Sequence, residues 1–314
     1  MRIDAGRIAM TESMEAAIIA RNSSDRAHSA LRPRAEAADD DASLTMIDPP
    51  AGWQLVNVRE LWRYRELLFF LTWRDVKVRY KQTVLGAAWA VLQPVMMMLV
   101  FIIVFSRMAK VPSANIPYPL FVFAGLLPWT FFATAIANGA TSVVGSERLI
   151  TKIYFPRLAI PFAAVGAALV DFAIAFGVLL VLMLWYRVMP GVQILLVPVL
   201  ILILTIAALG IGTLLAALTV AYRDFRYVVP FLVQIWLFAT PSVYMDVFAA
   251  GGSKMQLTLS LNPMVSVIAS FRAVMLGQPL HWGHLAFSAA FSILALLAGC
   301  LYFRKVEDSF ADLI

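Results

Sequence analysis

From Gln82 to Ser106 the chain carries 25 consecutive residues without a charged side chain, and comparable runs recur to its end. A helix needs about 20 residues to cross about 30 Å of hydrocarbon. By that measure the sequence predicts spanning helices at about 84–106, 118–141, 159–185, 194–221, 228–245 and 284–303, with only Asp171 interrupting the third. A further uncharged stretch, 255–271, is too short to cross and is broken by Leu261-Asn262-Pro263. It is expected to enter the membrane and return on the extracytoplasmic side. Such backbone is tolerated only where protein or a water-filled cavity surrounds it, the geometry of a gate. The expected fold class is an all-α integral membrane protein: six transmembrane helices, an N-terminal amphipathic interface helix and a re-entrant extracytoplasmic gate segment. At 61% hydrophobic and 14% charged, 314 residues hold more apolar surface than a globular domain could bury.

Residues 1–50 are of another kind. They are polar, mixed in charge and poor in aromatics, so burial cannot offset their ordering entropy, and a disordered cytoplasmic tail is expected. Across 58–81, Trp62, Phe69, Trp73, Val76 and Tyr80 fall within about 40° of one line at about 100° per residue. Arg63, Arg74, Arg79 and Lys81 lie away from that line. Such a helix lies in the membrane interface, rings in the acyl boundary and cations toward water and phosphate. From residue 58 onward, fourteen Lys and Arg residues fall on the side shared by both termini and five on the other. Both termini are therefore expected in the cytoplasm, in a multi-pass protein of the bacterial inner membrane.

The loop Gly145–Arg157 offers Ser146 as a cap for a short helix beginning at Glu147, with Pro156 to stop it. Leu149, Ile150 and Ile153 would give that helix apolar contacts. It suits docking into a soluble partner's groove, and equally an ordinary cation-bearing turn. Asp171 would cost about 2.5–3.5 kcal/mol facing lipid at mid-span, so it faces a neighbouring helix or a pathway. His281 and His284 have no third ligand at metal-binding spacing, and no metal site is expected. Ala208–Gly212 reads as a close-packing surface between helices. The single cysteine, Cys300, permits no internal disulfide. There is no G-x-x-x-x-G-K-[ST] motif and no chain of intramembrane carboxylates or histidines. Energy for transport would have to come from another chain, and no cofactor is expected in this one.

Five stretches together resemble the membrane subunit of type-2 ABC exporters, in the branch that moves lipid-linked O-antigen and related polysaccharides. They are VRYKQTVLGAAWAVLQPVMMMLVFIIVF, IPYPLFVFAGLLPWTFF, SERLITKIYFPRLAIP, YRDFRYVVPFLVQIWLFATPSVYM and LNPMVSVIASFRAVMLGQP. The resemblance covers about residues 58–314. One departure is local: Ser242 and Tyr244-Met245 stand where the family pattern reads valine and ends in tyrosine-proline. The resemblance implies a homodimer that binds two copies of a separate nucleotide-binding ATPase, which carries the ATP and magnesium. The coupling loop would be Ser146, Glu147, Arg148, Leu149, Ile150, Lys152 and Ile153. With an undecaprenyl-pyrophosphate-linked polysaccharide as substrate, Arg74, Arg79 and Lys81 are placed as a headgroup portal. Trp129, Phe132, Asp171, Thr240, Pro241, Tyr244, Asn262, Pro263 and Arg272 are the candidates for conduit and gate. Two other classes share parts of the pattern: a permease for teichoic acid or a small drug, and a membrane enzyme working alone, for which Asp171 is thin support. No nucleic-acid partner is expected.

Overall fold

The computed structural model describes residues 62–81, 86, 88–108, 116–151, 155–241, 261–307 and 310, all within one compact unit, Ala51–Ile314. The tail expected at 1–50 lies outside the described residues. So do 58–61 of the interface helix, Lys152, Ile153, Tyr244 and residues 255–260 of the expected gate segment.

Among the described residues there are nine α-helices and no strands: α1 Arg65–Tyr80, α2 Ala88–Met108, α3 Tyr118–Ser142, α4 Glu147–Ile150, α5 Ala159–Trp185, α6 Val197–Ala221, α7 Phe225–Phe238, α8 Pro263–Leu276 and α9 Trp282–Val306. Local chemistry sets several ends. Pro119 and Pro198 sit in the first turns of α3 and α6, where a missing N–H leaves no bond unmade. Asn262 caps α8, Pro263 opens it, and Gly277 closes it in the left-handed conformation, φ 68°. Arg304 and Lys305 occupy the last turn of α9, facing the negative end of its dipole.

Four helical segments are long and apolar enough to cross a membrane: Tyr118–Ser142, Ala159–Trp185, Val192–Ala221 and Trp282–Val306. The positions expected for the first and fifth spans hold shorter apolar helices, Ala88–Val104 within α2, and α7. The uncharged stretch expected to end at 271 continues as helix to Leu276, and every residue of α8 is buried. The expected segment ended at Phe271 because the uncharged run ends there, at Arg272. Arg272 is accommodated, its guanidinium lying 3.9 Å over the centre of the Phe121 ring.

The core is built around α3, buried on all sides along Leu120–Trp129, the pattern of a helix enclosed by others. It packs on α2, α5, α6, α7 and α8, while α1 lies along α5 and α9 along α6. The Ala208–Gly212 surface does pack helices closely. A Cβ on Gly210 would lie 2.7 Å from the Leu296 Cα, and one on Gly299 would lie 3.1 Å from the Gly210 carbonyl carbon and closer still to its oxygen. Backbone therefore meets backbone at the α6–α9 crossing, and where α3 crosses α6 a Cβ on Gly139 would lie 3.3 Å from the Gly212 Cα. Outside this core, Leu180, Val181 and Leu184 on α5, Leu202 on α6 and Ile293, Leu294 and Leu297 on α9 are exposed. That surface suits contact with lipid.

Gly299→Ala or Gly210→Ala must push α6 and α9 apart, with an expected loss of about 1–3 kcal/mol. Gly177→Ala, which meets nothing within 4 Å, is expected to be neutral or slightly stabilising. Thermal unfolding in detergent checks the contrast: both seam variants melt below the wild type and Gly177→Ala does not.

Candidate functional site

Three helices bring polar side chains to one place. On α2, Trp89 and Gln93 are four residues apart and share a face. On α3, Thr130, Thr134 and Asn138 follow the same spacing, a polar stripe on an otherwise apolar helix. On α5, Ala168 and Ala175 flank Asp171 with small side chains that leave room. Together with Arg79 and Tyr80 of α1, these residues line a cavity of about 340 Å³.

Asp171 is its charged centre, one carboxylate oxygen pairing with the Arg79 guanidinium and the other accepting from the Tyr80 hydroxyl. Burial raises the Tyr80 phenol above its ordinary pKa, with the Arg79 charge pulling the other way. The hydroxyl therefore stays protonated and can donate. Thr130 donates back to the Leu127 carbonyl. Gln93, Thr134 and Asn138 make no side-chain hydrogen bond among the described residues, so their amides and hydroxyl remain available to whatever occupies the cavity. Asp171 was expected to face either a neighbouring helix or a pathway, and it meets the first condition while lining a space.

The three cations expected to form one rim are separated. Arg74 pairs with its neighbour Asp75 and lines a smaller cavity of about 270 Å³ with Glu147, Arg148 and Leu149. Arg79 faces Asp171, and Lys81 is exposed beyond the end of α1. The cause is helical geometry: five residues at about 100° each put Arg79 some 140° around the helix from Arg74. Trp62, Phe69 and Trp73 of the expected interface line are exposed, but Val76 is buried like Leu71 and Tyr80 turns into the cavity to meet Asp171, so only the N-terminal part of the line is free for an interface.

At the loop after α3, Ser146 stands at the helix N-cap as expected, but its side chain makes no capping bond. Glu147 and Arg148 are exposed and Ile150 is buried. Glu147 also lines a second cavity of about 340 Å³, together with Arg223 before α7 and Arg226 and Tyr227 in its first turn. The sequence reading counted those two arginines only for orientation. Their place beside Glu147 depends on how α3 and α6 pack.

The expected gate residues divide into a clasp and a core. Asn262 uses all four hydrogen-bonding positions of its amide. It accepts from Trp236 Nε1 at 3.2 Å and from the Met264 N–H at 3.1 Å, and donates to the Ala239 carbonyl at 3.1 Å and Thr240 Oγ1 at 3.0 Å. Pro263 adds its carbonyl, which accepts from the Ser288 hydroxyl at 2.9 Å. The end of α7 is thereby tied to the starts of α8 and α9, with Pro241 buried beside it. Trp129 and Phe132, expected to wall a conduit between subunits, are instead sealed inside the protomer at 4% and 0% exposure. Phe132 meets Trp236 edge to face, centroids 5.2 Å apart, so these rings support the clasp and present no face to an inter-subunit path. Arg272 is likewise enclosed. Sequence reasoning assigned no site role to Trp236 or Asn138, and it set Tyr80 on the interface line of α1 rather than in the cavity. The Thr130-Thr134-Asn138 spacing was the signal for Asn138, missed because uncharged polar residues were not counted.

Residues 66–276 match the family described as ABC-2 type transporter. The chain is 36% identical over 259 residues, 82% of its length and 98% of the relative's, to the O-antigen export system permease protein RfbA of Myxococcus xanthus. It is 26% identical over 250 residues, 79% of its length and 95% of the relative's, to RfbA of Klebsiella pneumoniae. To the polysialic acid transport protein KpsM of Escherichia coli it is 25% identical over 244 residues, 75% of its length and 92% of the relative's.

Arg79→Ala strands the Asp171 carboxylate and Asp171→Ala strands the guanidinium, each with an expected loss of about 1–3 kcal/mol. The double variant is expected to lose less than the sum, and a double-mutant cycle on unfolding midpoints reads the difference. Asn262→Asp keeps the two acceptor bonds and removes both donors. Its expected signature is a lowered melting temperature together with faster hydrogen exchange at the α8 N-terminus, while the α1 amides are unchanged.

Proposed function

Since the chain belongs to the ABC-2 type transporter family, we propose that this multi-pass membrane protein is the permease of an ATP-driven exporter. Its cargo is undecaprenyl-pyrophosphate-linked polysaccharide of the O-antigen type, moved from cytoplasm to periplasm. The observation that carries this reading is a match along almost the full length of relatives named as O-antigen export permeases. As part of it, two copies of the chain form the pore and bind two copies of a separate ATPase. The protein lies in the inner membrane with both termini in the cytoplasm. α2 and α7 serve as first and fifth crossings beside the four long apolar segments, and α8 belongs to the re-entrant gate.

In this reading the exposed Glu147 and Arg148 meet the ATPase, joined by Arg74 at one cavity and Arg223 and Arg226 at the other. Their common position around two surface cavities supports one continuous docking face. The carrier headgroup reaches the membrane boundary at the end of α1, where Lys81 is exposed and Arg79 stands two residues earlier. The polymer is too long for a closed chamber, so it passes along a path between subunits. The Asn262 clasp holds the outer end of each half.

The test is reconstitution in vesicles with the ATPase encoded nearest the gene, using lipid-linked glycan extracted from the host. Export is expected to require both proteins and ATP. Paired substitution Glu147→Lys with Arg148→Glu alters only exposed charges. It is expected to lower export and ATPase co-purification at least tenfold with the melting temperature unchanged. Glycan crossing without an ATPase would overturn the reading.

A further inference from the structure

We infer that the cavity between α1, α2, α3 and α5 is a glycosyl subsite, holding one neutral sugar ring within each protomer. The inference rests on the polysaccharide reading above and gives that substrate a place inside the chain, apart from any path between subunits.

Charge comes first. Arg79 and Asp171 compensate one another in the wall, so the cavity offers no net charge to attract a phosphate or a metal ion. What it offers instead is uncommitted neutral chemistry: the Gln93 and Asn138 amides and the Thr134 hydroxyl, each able both to donate and to accept. None of the three has a side-chain hydrogen-bond partner among the described residues. Gln93 is exposed and Thr134 and Asn138 are half-buried, so water can reach these groups, and three of them around one space match a ligand whose hydroxyls replace that water.

Shape and stacking point the same way. Trp89 is half exposed at the wall, leaving indole face free. The negative face of an aromatic ring attracts the C–H edges of a pyranose while the sugar hydroxyls turn toward the amides. At about 340 Å³ the space falls in the size range of small-molecule sites. Ala168 and Ala175 keep the α5 wall low on either side of Asp171, whose carboxylate is held by Arg79 and Tyr80 and can accept a further bond from a sugar hydroxyl.

The experiment uses the full-length protein in phosphatidylethanolamine and phosphatidylglycerol nanodiscs. Saturation-transfer difference NMR is recorded with millimolar methyl glycosides of glucose, galactose, mannose, rhamnose and N-acetylglucosamine. Glycerol 1-phosphate serves as the headgroup control. Transfer is expected to at least one glycoside, strongest at C–H protons of one ring face, and reduced at least fivefold by Trp89→Leu and by Asn138→Leu. Thr134→Val, which keeps shape and removes the hydroxyl, is expected to give a twofold or larger reduction even if the bulkier variants fold poorly. Absence of transfer to every glycoside, transfer unchanged in a folded variant, or transfer to glycerol 1-phosphate alone would each overturn the subsite. Export by the same wild-type protein in cells lacking the chromosomal copy is scored separately. Export without glycoside binding removes the subsite and leaves the proposed function standing, whereas failure to restore export counts against the function itself.

Discussion

A polar group in hydrocarbon must find its partner inside the protein, and in a chain that is 61% hydrophobic this requirement decides where the few polar side chains go. Asp171 draws the end of α1 onto α5 through Arg79 and Tyr80. Asn262 draws α7, α8 and α9 together by exhausting its amide and by placing the Pro263 carbonyl against Ser288. Arg272 lies against the face of Phe121 in the middle of the buried α8–α3 contact. These are cross-links between helices that apolar packing alone would leave free to slide, since lipid solvates leucine as well as a neighbouring helix does. The polar residues thus fix relative positions that the apolar ones permit.

Close packing supplies the complementary part. Where glycine meets backbone at the α6–α9 and α3–α6 crossings, dispersion contacts replace the hydrophobic drive that membranes lack. Asp171 stands midway along α5 and Asn262 at the start of α8, and the glycine seams run along α6 at Gly210 and Gly212. Rearrangement is least costly where the cross-links are ion pairs or hydrogen bonds with access to a competing ligand, as at the cavity around Asp171.

Helical class, the order of the apolar segments and the loop that bears Glu147 were legible in the sequence, because periodicity, length and charge are properties of single segments. The Ala208–Gly212 seam was legible for a similar reason: small residues at helical spacing announce close approach. What the sequence could not convey was which face of one helix meets which face of another. Arg74 and Arg79 were read as one rim because both leave the aromatic line of α1, yet they diverge by over a third of a turn and serve different neighbours. Trp129 and Phe132 were assigned to a conduit by chemical type, but both are buried, Phe132 against Trp236 and Trp129 against Phe132. The uncharged run ends at Phe271, whereas the helix continues past Arg272 because that cation lies against the Phe121 ring, a contact between two segments that charge counting along one of them does not reveal.

A second core cluster explains how a push at the Glu147 loop would reach the cavity. Ile150 of α4 is buried with Leu71 of α1, Phe155 and Leu158 before α5, Val220 of α6, and Phe303 and Phe310 at the chain's end. The last two rings meet edge to face with centroids 5.0 Å apart, and the Arg157 guanidinium donates to the Glu307 carbonyl beside them. A core at native density has no slack in which Ile150 could move alone, so its neighbours must shift with it. Leu71 is among them, and it stands on the same helix as Arg79, about 12 Å along at 1.5 Å per residue. A helix is stiff over that distance. Displacement of the loop by a docked partner therefore tends to move Arg79 against Asp171, the one charged contact that closes the inner cavity. In the proposed exporter, the Glu147 loop and the polar site around Asp171 would be joined mainly by apolar packing, through residues that a search for chemistry would pass over.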